Sequence, residues 1–438
     1  MGSTKALSKR AHRSGDDTQI KEIKEIKARQ RAEDSDVSMD SGSESEGSDA
    51  EEEQEEEEEE EGDKAADTQR QGRKHAGGSA GSDVLALHEA AVAVRSNVLR
   101  LQTESLLDEV LVTAGSRATR GLDAALRQLR GELLGLASIS GPLSADAARR
   151  EARRAGVALS DTLPAAESSV AFEFRAPAAV HVVGSYALGW AVRTSSGFTV
   201  DVAAQLPAGL VLERDHLNYR YVHKRAFFVA MVCAGLRASA LGDAWDVTVE
   251  NARDDARLSV VALRPKRGVR GLPRGCCVRV LPALAAGELK LARLGGGRNG
   301  VRPSYVAAGA SDEEAAETPQ YNAAVAGDAL LVTHMRFLHD TAAACEGFGG
   351  AAALLRVWLA QRTSAGENEP PVRGGRLTAF VLTMAMAWLV RSGRAGAGAS
   401  AVQLFRATME MLATKDFEAQ PAAMGDSLGG FSSGAVLV

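Results

Sequence analysis

Residues 181–201 read HVVGSYALGWAVRTSSGFTVD, and the rest of the chain is best understood outward from them. An apolar run breaks at Gly184-Ser185, and a second apolar run then delivers Asp201. A strand ending in Gly-Ser lets backbone amides come close to an anion such as a triphosphate, because glycine has no Cβ in the way. Acids one residue apart on a following strand point to the same face and hold catalytic metals. Asp201 supplies the first of such a pair, but the second position is Ala203. The strand-like run Leu258–Leu263 (LSVVAL), where a third acid is expected, carries none. Asp254 and Asp255 stand just before it, in a predicted hairpin turn.

This arrangement resembles the site of nucleotidyltransferases with its carboxylate set incomplete. The likeness implies a mixed-sheet α/β fold. Its site remnants are Gly184, Ser185 and Asp201, with Ala203 at the lost acid, and no catalytic residue, metal or cofactor is expected. The flanking pattern agrees with an α/β domain. Strands are predicted over Ala179–Leu188, Phe198–Leu206, Asp246–Glu250, Leu258–Leu263 and Val278–Leu281. A helix over Asp215–Arg237, capped by Asp215, separates the second and third. Its buried face is expected to include Tyr219, Phe227, Val229 and Met231. Arg220, Lys224 and Arg225 are expected on a basic side, as candidates for contact with RNA or a protein partner or as a solvated face.

Charge is segregated along the 438 residues. The first 32 carry nine Lys/Arg against four Asp/Glu, and Glu33 to Asp63 hold 18 acids and no base. With a net charge of −6 overall, the remainder is mildly basic, which suits work near polyanions. Residues 1–83 have a composition that cannot bury enough surface to offset chain entropy, and a disordered tail is expected there. Its KALSKRAHR cluster is compatible with nuclear import. Ser41, Ser43 and Ser48 each have an acid three residues on (Glu44, Glu46, Glu51), marking phosphorylation candidates. The four cysteines show no paired spacing, so neither a disulfide framework nor a zinc site is predicted. The longest apolar run, Thr378–Val390, is too short for a membrane span and reads as a buried helix.

Helical periodicity covers Val84 to Leu136, and a second segment starts at Gly121. After Arg302-Pro303 the chain is all helical: Tyr321–Ala344, Gly350–Arg362, Leu377–Arg391 and Ala401–Thr414. The Gly295-x-Gly297-x-x-Gly300 pattern lacks a βαβ setting, so a flexible interdomain link is expected there. The resulting division is a tail over 1–83, a helical lead-in over 84–145, the sheet domain over 146–303, a helical domain over 304–425, and a tail or truncated end over 426–438.

Several phrases, in order, carry a more specific likeness: NVLRLQTESLLDEV, HVVGSYALGW, FTVDVAAQLP, ERDHLNYRYVHKRAFFVAMV, GRNGVRP, TPQYNAAVAGDALLVTHMRFLH, LLRVWLAQR, LTAFVLTMAMAWLV and VQLFRATMEMLATKDF. They resemble the first part of the Nrap family of nucleolar RNA-associated proteins. The likeness runs from about Val84 to Phe417. It implies a degenerate nucleotidyltransferase-like mixed-sheet domain followed by a helical domain of the poly(A) polymerase and oligoadenylate synthetase type. It implies a non-catalytic role in the nucleolar small-subunit processome and in pre-18S rRNA processing. The implied partners are processome proteins, casein kinase 2 and pre-rRNA, with no membrane, in the nucleus and nucleolus. It also implies a chain that is the N-terminal part of something longer. The competing expectations are an active RNA nucleotidyltransferase and an acidic-tailed nucleolar chaperone.

Overall fold

The computed structural model describes residues 97–417 and 419, except 160–165, 167, 168, 196, 253, 254, 307, 308, 310, 313, 314 and 365–376. The acidic tail with Ser41, Ser43 and Ser48, the residue Asp254 and the terminal segment 426–438 lie outside the described residues. All described residues belong to one compact unit.

Helix α1 occupies residues 97–110 and leads into β1 (Leu111–Val112). Helix α2 (Arg120–Leu134) buries Leu122, Leu126, Leu129 and Leu133, a three- and four-residue spacing that gives it one apolar stripe. After β2 (Ile139–Leu143), helix α3 (Ala145–Arg154) is capped by the Ser144 hydroxyl, which accepts from the Ala147 amide. Strands β3 (Phe172–Phe174), β4 (Ala179–Val183), β5 (Ala191–Val192) and β6 (Phe198–Gln205) follow. Helix α4 (Arg220–Ala238) then crosses to β7 (Trp245–Asn251), β8 (Ser259–Pro265) and β9 (Cys276–Ala283).

The main sheet has the order β4-β6-β9-β8-β7. Only the β6–β9 pair is parallel, so the sheet is mixed, as the α/β expectation required. One face, with Val200, Val202, Val278, Val280, Val261, Leu263 and Val247, packs into the main core with α2 and α4. The other face presents Asp201, Cys277, Arg279, Arg264 and Glu250, because residues alternate across a strand. Helix α4 is buried nearly all round, including Tyr221, Phe227, Phe228, Val229, Met231 and Cys233. Phe172 meets Phe227 edge-on, with ring centroids 5.7 Å apart.

Four long helices complete the chain: α5 (Pro319–Ala343), α6 (Phe348–Ser364), α7 (Ala379–Arg391) and α8 (Ala401–Thr414). Ser400 and Gln403 form a reciprocal capping box at the start of α8. Helix α5 serves two cores. Its first half places Tyr321, Val325, Ala326 and Leu330 in the sheet core, and its second half places Phe337 and Leu338 with α6, α7 and α8. Trp190, from the loop after the Gly-Ser turn, joins that second core and stacks edge-on against Phe348 at 5.7 Å. No single helix among the described residues is long and apolar enough to cross a membrane.

Two expectations are corrected here. Asp215 does not cap α4. It lies in a separate 3-10 turn (Glu213–His216), where its carboxylate accepts from the Leu212 amide and from Lys224. Helix α4 begins four residues later, after Asn218 and Tyr219, both with left-handed backbone angles (φ 54° and 59°). The glycine stretch 295–300 is not a flexible link. Asn322, wholly buried on α5, donates to the Gly295 and Arg298 carbonyls at 3.0 and 2.8 Å. The Gly300 amide donates to Thr318 Oγ1 at 2.7 Å, and its carbonyl accepts from the Asn218 amide at 2.8 Å. Any Cβ at Gly300 would run into Tyr321 and Asn322, so the glycine is there for close approach.

Candidate functional site

Strand β4 ends at Val183, which pairs with Asp201 on β6, so Gly184 emerges directly beside that carboxylate. Gly184 has φ +75°, and a Cβ there would sit 3.1 Å from Asp201 Oδ2. Both the left-handed angle and the contact call for glycine. Gly184 and Ser185 begin a single helical turn (Gly184–Ala187), with Ser185 buried. The Gly184 N–H points to the sulfur of Met335 on α5, at 3.0 Å. Tyr186 fastens the turn to α2 by donating to Asp123 Oδ1 at 2.7 Å. Burial, with the Asp123 hydrogen bond second, pushes the Tyr186 hydroxyl up to about 12.

Asp201 is paired with a residue the sequence reading did not single out. Arg279 stands in register with it on the parallel neighbour β9. Its Nε and Nη2 both lie 2.8 Å from Asp201 Oδ1. Burial acts against the Arg279 charge, and Asp201 outweighs it, leaving the guanidinium above its ordinary pKa. Ala203, on the same face, is buried in a small apolar cluster with Val183 and Ala283, covered by Leu281, Leu331 and Met335. The place of a second carboxylate is therefore occupied by hydrocarbon and a thioether.

The neighbour of Asp201 is β9, not the Leu258–Leu263 strand from which a third acid was sought. Strand β9 reads CCVRVLPA and holds no acid. Asp255 is engaged by its own neighbour, with Arg257 Nη2 2.7 Å from Asp255 Oδ2. Among the described residues, no group of three or more His, Cys, Asp or Glu side chains is placed to hold a metal ion.

A third cation comes from the helical part. Arg356 on α6 has a buried Nε with no hydrogen-bond partner. Burial lowers its pKa, and the charges of Asp201 and Arg279 both act on it, in opposite senses, which sets it beside that pair. Nothing in the sequence marks Met335 or Arg356, which lie on separate helices. Arg279 had a faint signal, as the one charged side chain in an alternating apolar strand.

The predicted basic side of α4 is also corrected. Arg225 is 2% exposed; it donates from Nε to Asp328 Oδ2 at 2.6 Å and also to the Ser259 carbonyl. Tyr221 donates to the same Asp328 oxygen at 2.7 Å. Lys224 Nζ lies 2.6 Å from Asp215 Oδ2 and 3.0 Å from the Leu210 carbonyl. Arg220 is half-buried in the first turn of the helix. These cations tie α4 to α5, β8 and the preceding loop and do not make one exposed face. A buried guanidinium needs a carboxylate more than RNA needs a surface arginine.

Two consecutive family models match the chain: Nrap protein domain 1 over residues 142–344, and the Nrap protein PAP/OAS-like domain over 347–433. Together they account for more than half of it. Nucleolar protein 6 of Homo sapiens is 30% identical over 340 residues, covering 75% of this chain and 28% of the relative. U3 small nucleolar RNA-associated protein 22 of Saccharomyces cerevisiae is 24% identical over 267 residues, covering 56% and 21%. The chain thus spans less than a third of the length of these curated relatives. A solved structure of E. coli MS115-1 CdnC with ATP is similar at a TM-score of 0.35 and 12% identity, covering 71% of this chain and 70% of that one.

Proposed function

This chain belongs to the Nrap family, and on that premise we propose that it acts as an assembly factor in the nucleolar small-subunit processome without transferring nucleotides. Its work is ribosome biogenesis in the nucleolus, in keeping with the names of its human and yeast relatives. The finer reading is a degenerate nucleotidyltransferase-like domain joined to a PAP/OAS-like helical domain, serving pre-18S rRNA processing through binding. The observation that carries the non-catalytic part is the ion pair of Asp201 with Arg279 beside a buried Ala203. In-line nucleotidyl transfer uses carboxylates to hold metals that bridge the attacking and leaving oxygens. Here one carboxylate remains and its charge is already met by a guanidinium.

The test is to incubate the full chain with a labelled nucleoside triphosphate mixture, an RNA primer, and Mg²⁺ or Mn²⁺. No extension is expected. Extension that disappears in Asp201→Ala, with the variant still folded by circular dichroism, would overturn the reading. Processome proteins, pre-rRNA and casein kinase 2 are the proposed partners. Recovering the tagged protein from nucleoli and identifying bound RNA, proteins and phosphates at Ser41, Ser43 and Ser48 tests them. Recovery without small-subunit precursors or those phosphates would count against the assignment.

A further inference from the structure

The cleft above β6 and β9 holds two guanidiniums and one carboxylate. Arg279 is committed to Asp201, and both nitrogens it offers converge on the single oxygen Oδ1. The second pair on this sheet face, Glu250 with Arg264, is neutral in itself. Arg356 is the surplus charge, and its buried Nε has no acceptor. Buried polar atoms in native proteins are nearly always paired, and an orphaned guanidinium nitrogen calls for an anion. The groups around it do not supply one. His334, from the facing part of α5, is held neutral by burial, its pKa lowered to about 4, and it lies against the Phe380 ring at 5.2 Å. Met335, Leu331 and Leu281 contribute only apolar surface.

We propose that this cleft is a metal-free receptor for a phosphate group, with Arg356 and Arg279 as its two donors. A phosphate offers several acceptor oxygens to two planar guanidinium forks, which suits arginine better than a single carboxylate ligand would. The mouth is open to solvent, since the Arg279 side chain is 36% exposed and that of Asp201 21%. The cleft has thus exchanged the charge logic of a metal site, in which acids hold a cation that holds the phosphate, for direct contact by cations. The proposal rests on the reading that no nucleotide transfer occurs here. It adds what the site takes instead: the phosphate of a nucleotide or of an RNA strand.

The experiment titrates the full chain, in EDTA, with inorganic phosphate, ATP, a 5′-phosphorylated RNA decamer and its 5′-hydroxyl counterpart, read by calorimetry and by thermal shift. At least one probe is expected to bind without metal, and Arg356→Gln should weaken that binding by about tenfold or more. Without ligand, Arg356→Gln should melt no lower than the parent chain, because it removes an unsatisfied buried charge. Arg279→Lys, which keeps the charge but loses the fork, gives a second reading should Arg356→Gln fail to fold. Arg362→Gln, at an exposed position on the same helix, should leave binding unchanged. The probe whose binding responds to Arg356 names the source: ATP for a nucleotide, the 5′-phosphorylated strand alone for an RNA end, both strands equally for the RNA backbone. No binding by any probe, binding that requires Mg²⁺, or binding indifferent to both Arg356 and Arg279 would overturn the proposal. Those failures leave the non-catalytic reading standing, whereas primer extension would sink that reading independently.

Discussion

At the scale of single residues, the site is a set of substitutions in charge and volume on a sheet face that alternation alone had fixed. Asp201 and Ala203 share that face because side chains repeat every two residues. What they do there depends on Arg279 and Met335. His334 gives a residue-scale prediction. Its folded pKa of about 4 lies below the ordinary 6.5 because burial penalises the charged ring. Between those values the unfolded chain binds a proton that the folded chain refuses, so the stability is present above pH 6.5 and lost as pH falls toward 4. From about pH 7.5 to about pH 5 this group should remove about 2 kcal/mol. Urea unfolding of the parent chain and of His334→Phe at both pH values checks it. Equal losses in the two proteins would show that His334 titrates normally.

At the scale of elements, the junction between α4 and α5 is held by a buried polar network of Tyr221, Arg225, Asp328 and the Ser259 carbonyl. Burial raises the Tyr221 hydroxyl pKa, and the Asp328 charge adds to it; Arg225 is kept charged by Asp328 against the pull of burial. Removing one partner of such a pair strands the other. Asp328→Ala should therefore cost about 3–5 kcal/mol, and Arg225→Met with Asp328→Leu should recover most of it. A loss below about 1 kcal/mol for Asp328→Ala in urea unfolding would contradict the network's role. For the same reason, charge reversal at Arg225 tests folding and not RNA contact.

At the scale of the whole molecule, the sheet part and the helical part share α5, and Trp190 crosses from one to the other. The tryptophans report on both cores: Trp245 lies in the first, Trp190 and Trp388 in the second. Thermal unfolding of the full chain is expected to give one transition, coincident by tryptophan fluorescence and by far-ultraviolet circular dichroism. Two separated transitions would mean that the helical part folds on its own and that α5 is a passive bridge. One transition also bears on function, because it makes the cleft rigid: Arg356 and Met335 reach the Asp201 strand only while both cores are intact.

The sequence by itself determined the elements. Alternation placed β6 and its face, three- and four-residue periodicity placed α5 to α8 within a few residues, and the loss of an acid at Ala203 could be read letter by letter. These are local properties, set by residues close together along the chain. The tertiary structure alone decided which strand adjoins Asp201, because sheet order is not written in strand periodicity. It decided that Arg225 is a buried tie and Arg279 a counter-ion, since the same letter serves an exposed or a desolvated guanidinium. It also turned the glycine stretch 295–300 from a link into a pinned crossing, through Asn322 more than twenty residues away. Pairing and desolvation are made between segments distant in sequence, and they come into being only when the chain closes on itself.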